Sequence, residues 1–162
     1  MALIVQKFGG TSVAGVDRIR NVARRVVETR KQGNDVVVVV SAMAGVTDQL
    51  VAYANEISPA PDPREYDMLV STGEQQTIAL MAMAIQGLGV PARSFTSAQV
   101  KVQTDDDHAR ARILRIDTER IREELARGGV PVLPGFQGVT DEGEITTLGR
   151  GGSDLTAIAM AK

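Results

Sequence analysis

Apolar positions along this 162-residue chain come in two rhythms, short unbroken runs and residues three or four apart. Leu3–Phe8 is the first run and reads as a strand ending in Gly9-Gly10. Val16, Ile19, Val22, Ala23, Val26 and Val27 then share a helical face, and Gly33 stops that helix. Val36–Val40 is five valines in a row. An unbroken β-branched run suits a strand covered on both faces, as in a parallel sheet flanked by helices. Thr47 or Asp48 caps a helix through Ile57, and Pro59, Pro61 and Pro63 punctuate the loop after it. A longer helical region spans about Arg64 to Gln86, with Gly73 as its weak point. Strand candidates follow at Ala92–Phe95, Val100–Val102 and Ile113–Ile116. Asp117 or Thr118 opens an amphipathic helix ending at Gly128-Gly129, and Val130–Pro134 is again a strand. Turn residues between β-formers give Val139–Thr146 hairpin chemistry, and Asp154–Lys162 is helical. Repeated strand–helix–strand units predict an α/β sandwich with a mostly parallel sheet.

Composition narrows the chemistry. Residues are 43% hydrophobic but only 3% aromatic, so the core must be built from Val, Ile, Leu, Met and Ala. Met68, Met81 and Met83 fit that role at helical spacing. Cysteine is absent and His108 is the single histidine. Thiolate catalysis, Cys-built metal sites and multi-histidine relays are therefore excluded. Catalysis must run on carboxylates, Lys, Arg, hydroxyls and backbone amides. Eighteen basic against twenty acidic residues does not fit a general nucleic-acid binder, whose affinity comes from neutralising phosphates. The N-terminus lacks the basic start of a signal peptide, and the uncharged stretch Gln75–Ala92 is broken by glutamines, glycines and Pro91. The expectation is a soluble, cytoplasmic protein with neither membrane nor nucleic acid as partner. Asp105-Asp106-Asp107-His108 reads as a solvated run or a helix start, and no metal site is assigned.

Three places share one grammar of strand, glycine-rich turn with hydroxyls, then helix. They are Lys7-Phe8-Gly9-Gly10-Thr11-Ser12, Ser41-Ala42-Met43-Ala44-Gly45-Val46-Thr47 and Leu148-Gly149-Arg150-Gly151-Gly152-Ser153-Asp154. Glycines let backbone approach an anion, and a following helix offers free N–H groups and a positive dipole end. In a parallel sheet all three would lie at the carboxyl edge of the strands, where ligands bind. Any one of them alone reads better as a tight turn followed by a cap. Their recurrence, with Lys7 and Arg150 beside two of them, favours a phosphate or carboxylate site. No P-loop and no G-x-G-x-x-G fingerprint occurs. Glu74, after Gly73 in an apolar stretch, is either a solvated helix residue or the holder of a substrate's cationic group.

Lys7-Phe8-Gly9-Gly10-Thr11-Ser12, the valine strand with Ser41-Ala42-Met43, Thr72-Gly73-Glu74 and Thr147–Asp154 together resemble the aspartate kinases of the amino-acid-kinase superfamily. The likeness is collinear and covers the whole chain, most closely the bacterial lysine-sensitive or lysine-plus-threonine-sensitive type. It implies a three-layer α/β/α sandwich with a largely parallel sheet, similar to carbamate kinase. It also implies transfer of the γ-phosphoryl of MgATP to the β-carboxylate of L-aspartate, with Mg2+ carried by ATP. This is the first step towards lysine, threonine and methionine. On the matching positions, Lys7 and Asp154 would be catalytic, Lys7 by stabilising charge on the transferring group. Lys7, Phe8, Gly9, Gly10 and Ser41 would hold the ATP phosphates. Thr47, Glu74, Arg150, Gly151, Gly152, Ser153 and Asp154 would bind aspartate. An acidic zwitterion needs Arg for a carboxylate and an acid for its ammonium, which these residues supply.

The family is much longer, so the resemblance implies that 1–162 is the aspartate-binding portion of a catalytic domain. The nucleotide-base half and paired ACT regulatory domains would lie beyond it, and the whole protein would be a homo- or hetero-oligomer. The chain alone is then expected to bind ATP weakly, turn over poorly and associate through exposed apolar surface. Other members of the superfamily, such as glutamate 5-kinase or uridylate kinase, are the near alternative. A catalytically incompetent substrate-binding fragment is the alternative of a different class.

Overall fold

A computed structural model describes residues 2–161. Four strands, β1 (Leu3–Phe8), β2 (Asp35–Val40), β3 (Ala92–Ser94) and β6 (Val130–Pro134), form an all-parallel sheet in the order β1-β2-β6-β3. Helices cover both of its faces. Even-numbered residues of the valine strand, Val36, Val38 and Val40, pack with Val130 and Val132 under α1 (Val16–Lys31) and α4 (Thr72–Gln86). Val37, Val39 and Leu133 face the other way, towards Ile121 of α5 (Glu119–Ala126) and Ala157 and Met160 of α6 (Gly152–Met160). That alternation makes three layers, and it explains why β2 carries no polar residue between 36 and 40: neither face meets water.

The parallel sheet is accompanied by a second, smaller one that includes the expected hairpin. Strands β4 (Val102–Thr104), β5 (Ile113–Ile116), β7 (Gln137–Val139) and β8 (Ile145–Thr147) are ordered β5-β4-β7-β8, with antiparallel pairs at both ends. The hairpin β7–β8 leaves the end of β6 and returns to it. Leu148 N–H donates to the Phe136 carbonyl at 2.8 Å. The strand expected at Val100–Val102 begins two residues later, because Val100 and Lys101 form a turn with Lys101 at φ 44°.

Three local expectations also shift. The long helix breaks at Ser71 rather than Gly73, giving α3 (Pro63–Val70) before α4. Ser71 and Thr72 hydroxyls donate to the Met68 and Leu69 carbonyls, competing with continued helix, whereas Asp62 caps the start of α3. Helix α2 (Val46–Ile57) is entered through Gly45 at φ 83°, so Thr47 and Asp48 lie within its first turn and do not cap it. Helix α6 begins at Gly152, two residues before Asp154; Lys162, the expected end, lies outside the described residues. Met81 is a core residue, but Met68 and Met83 are exposed, the latter at 63%. On α4 the buried stripe is Ile78, Met81, Ala82 and Ile85, and position 83 falls on the opposite side.

Among the described residues no helix is long and apolar enough to cross a membrane. Leu3, Leu155 and Ile158 expose more than half of their surface.

Candidate functional site

All three glycine-rich loops reach one cleft of about 720 Å3. The first two arrive because β1 and β2 are parallel neighbours in register, Phe8 opposite Val40, so both strands end at one edge. The third follows β8 of the second sheet, not a parallel strand as expected. It reaches the same edge because the β7–β8 hairpin folds back on the Gly135-Phe136 turn that closes β6. Gly135 N–H donates to the Val40 carbonyl at 2.9 Å, keeping that turn beside Ser41.

The start of α6 is tied to both parallel strands. Lys7 Nζ lies 2.9 Å from Asp154 Oδ1, and the hydroxyls of Ser41 and Ser153 are 2.9 Å apart. Gly10 allows close approach of the first loop to the second: a Cβ there would sit 3.0 Å from the Ala42 carbonyl oxygen. The helices α2 and α6 are entered through Gly45 and Gly151, both left-handed, and their N-termini border the cleft. Two positive helix ends and the Lys7 ammonium at one mouth favour an anion with several oxygens. Arg150 also lines the cleft, exposed, with no hydrogen-bond or ion-pair partner among the described residues.

Glu74 is not a solvated helix residue. It is 3% exposed on the cleft floor. Gly73 makes this possible, since a Cβ at 73 would lie 2.9 Å from Ala42 Cβ, and its absence lets α4 press against the second loop. Glu74 Oε1 accepts from Ala42 N–H at 3.2 Å and Oε2 from Gln137 Nε2 at 3.1 Å. Burial raises its pKa to about 7, against the opposing pull of those hydrogen bonds. A carboxyl group poised at neutrality and facing a cleft is ready to be ionised by an incoming cation.

Lys7, Gly10, Ser41, Thr47, Glu74 and the run Arg150–Asp154 all line the cleft. Phe8 and Gly9 do not: Phe8 is buried in the core beneath α1, and Gly9 lies behind Lys7, where a Cβ would be 3.5 Å from Nζ. Sequence reasoning missed Tyr66, Ala109, Phe136 and Thr147, which also line it, and the buried Gln137 that holds Glu74. One signal was present. Gly135 after β6 repeats the strand-then-glycine grammar of the other loops. His108, expected in a solvated run, instead places Nδ1 2.8 Å from Oδ2 of buried Asp67.

The family model for the amino acid kinase family matches residues 2–162. The chain belongs to that family. The chain is 59% identical over 161 residues to an aspartokinase of Pseudomonas aeruginosa, covering 99% of the chain and 39% of that relative. It therefore spans about two fifths of the length of the curated relatives it matches. Among solved structures, aspartate kinase from Synechocystis matches with TM-score 0.80 and 50% identity, over 98% of this chain and 26% of that one. E. coli aspartokinase III, solved in complex with aspartate and ADP, matches with TM-score 0.85 and 29% identity, over 99% and 46%. The three-layer fold of this chain thus agrees with structures determined for aspartokinases.

Proposed function

We propose that the protein phosphorylates the β-carboxylate of L-aspartate with MgATP, giving 4-phospho-L-aspartate, and that residues 1–162 supply its aspartate site. The observation that carries this reading is the pairing of opposite demands in one cleft. A buried carboxyl, Glu74, lies on the floor, a guanidinium without a partner among the described residues, Arg150, on the rim, and Lys7 beside glycine loops at the mouth. An acidic amino acid needs the first two, and a phosphoryl donor needs the third. The aspartokinase relatives and the aspartate–ADP complex of one of them support the same choice.

In the proposed reaction an oxygen of the substrate's side-chain carboxylate attacks the γ-phosphorus, and the bond to the β-phosphate bridging oxygen breaks. No proton must be removed from the nucleophile, so a site without cysteine and with one histidine lacks nothing. Catalysis is positioning and charge stabilisation. Glu74 accepts the α-ammonium and Arg150 pairs with a carboxylate, with Thr47, Ser153 and the Gly151-Gly152 backbone shaping the pocket around them. Gly10 and Ser41 border the phosphates, with Gly9 setting the turn. Lys7 releases part of its interaction with Asp154 to follow charge onto the transferring group.

Magnesium would arrive on the phosphates and neutralise charge there. Asp48, Glu74 and Asp154 line the cleft, but among the described residues no three acidic or histidine side chains gather as a metal site. This donor set fits an ion carried by ATP. The nucleotide-base pocket and regulatory domains are assigned to sequence beyond this portion, and a soluble, cytoplasmic setting accords with the substrates.

Arg150→Ala gives the direct test of the substrate half. Arg150 is exposed, so its loss should leave thermal stability nearly unchanged. Aspartate affinity measured by calorimetry should fall roughly 10- to 100-fold, the value of a charge-assisted hydrogen-bonded pair. Unchanged aspartate affinity would remove Arg150 from the site.

A further inference from the structure

Asp67 has no part in the reaction described above, yet it is fully buried and its carboxylate is surrounded by donors. It sits on α3, and none of its partners does. Oδ1 accepts from Thr147 Oγ1 at 2.6 Å, and Oδ2 accepts from Thr147 N–H at 3.1 Å. The Ala109 N–H reaches both oxygens, at 3.2 and 3.0 Å. His108 Nδ1 completes the set at 2.8 Å from Oδ2, and an acceptor-only carboxylate there calls for the imidazole proton on Nδ1. One side chain therefore clamps two segments about forty and eighty residues away, the 108–109 turn and the end of β8.

Those two segments are the seat of the arginine loop. Thr147 is three residues before Arg150, and its carbonyl accepts from Ala111 N–H at 2.9 Å. Ala109 is held at φ +66°, a conformation an alanine adopts at a cost, and its two hydrogen bonds to Asp67 offset that cost. Its carbonyl oxygen lies so close to Gly149, itself at φ +76°, that a Cβ on residue 149 would be 3.2 Å away. The chain thus runs from Asp67 through a strained alanine to the glycine immediately before Arg150. Arg64 Nε, one turn earlier on α3, bonds Glu144 Oε2 at 2.6 Å and holds the other end of the hairpin.

We infer that Asp67 is a positioning residue for substrate carboxylate recognition, fixing the 147–150 segment from which Arg150 reaches the cleft. The inference rests on the proposed role of Arg150 for its kinetic consequence, but not for its structural one. A loop fixed in advance binds its ligand without first losing conformational freedom. Loss of the clamp should therefore weaken binding of the acidic substrate and leave the Lys7 side untouched.

The test is Asp67→Asn in the protein expressed from its complete reading frame, read by amide hydrogen exchange without ligand and by steady-state kinetics. Exchange over residues 147–151 should quicken about tenfold or more, while the loop at residues 9–12 keeps its wild-type rate. The KM for aspartate should rise about tenfold, with the KM for ATP within about twofold. His108→Ala removes one donor and should act in the same direction but less, and it decides the question if Asp67→Asn does not fold. Unchanged exchange over 147–151, or equal rises in both KM values, would overturn the inference. If the wild-type protein does not phosphorylate aspartate, the proposed function fails, and the exchange rates alone decide the role of Asp67.

Discussion

Replacing Lys7 by alanine is expected to lower kcat about 10²- to 10³-fold, with the KM for aspartate changed only a few-fold. Lys7 is the last residue but one of β1, where the register with β2 fixes its backbone, and its ammonium stands at the cleft mouth 2.9 Å from Asp154. In phosphoryl transfer the charge moves onto the transferring group and the leaving oxygen, and a fixed cation at that point acts chiefly on the barrier. The cost should appear in rate rather than in stability. The Lys7–Asp154 pair is partly exposed, at 30% and 66%, and such pairs contribute about 0–1 kcal/mol. Arginine should recover little. The space around Nζ is bounded by Gly9, and a planar guanidinium does not occupy the place of a compact ammonium. Single-turnover rates of phosphoryl transfer check this directly, and a wild-type rate in Lys7→Ala would remove Lys7 from the chemistry.

Glu74→Gln should produce two effects of opposite sign. Glu74 titrates near 7 in the folded protein because burial penalises its charge, against an ordinary value of 4.5. Between those two values the folded state holds a proton that the unfolded chain has lost. Stability therefore falls as pH rises from about 4.5 through 7, by on the order of 3 kcal/mol in total. Glutamine cannot ionise, so this loss should vanish from the variant's stability profile. One donor would then face Gln137 Nε2 unfavourably, which costs about 1 kcal/mol. A net gain of about 1–2 kcal/mol at pH 8 is expected by urea denaturation.

Binding should respond in the other direction. An ammonium group beside Glu74 favours its charged form, so aspartate binding near neutrality should expel a proton. Wild-type affinity should weaken as pH falls below about 7, and calorimetry in buffers of different ionisation enthalpy should show proton release. In Glu74→Gln the release should disappear and the KM for aspartate rise roughly 10- to 100-fold. A variant that is destabilised at pH 8, or that keeps wild-type aspartate affinity, would contradict this role.

Much of this was legible in the chain because it is local. Five consecutive valines announce a strand buried on both sides, and Lys7 through Ser12 carries strand, glycines and hydroxyls within six residues. The family likeness also rests on such contiguous stretches. What stayed hidden depends on distance. Whether Glu74 meets water is decided by Gly73 against Ala42 and by Gln137, 63 residues away. Asp67, His108 and Thr147 are ordinary in sequence, and only the fold brings them together. The sequence points to Gly73 as the break because glycine is the commoner helix weakener, while here hydroxyl groups end α3 at Ser71 and glycine serves close packing. The strand–glycine–helix order of the arginine loop points to a parallel strand before it, whereas the strand there is β8 of the second sheet. A hairpin delivering it to the same edge leaves the same local signature.

The central claim is that the acceptor is the side-chain carboxylate of aspartate, and an acyl phosphate product is trapped by hydroxylamine. The protein expressed from its complete reading frame, given MgATP, hydroxylamine and aspartate, should form aspartyl hydroxamate in step with ADP. Glutamate and uridylate in place of aspartate should give neither product at comparable rates. Hydroxamate from glutamate, phosphoryl transfer to uridylate, or no hydroxamate from aspartate would contradict it.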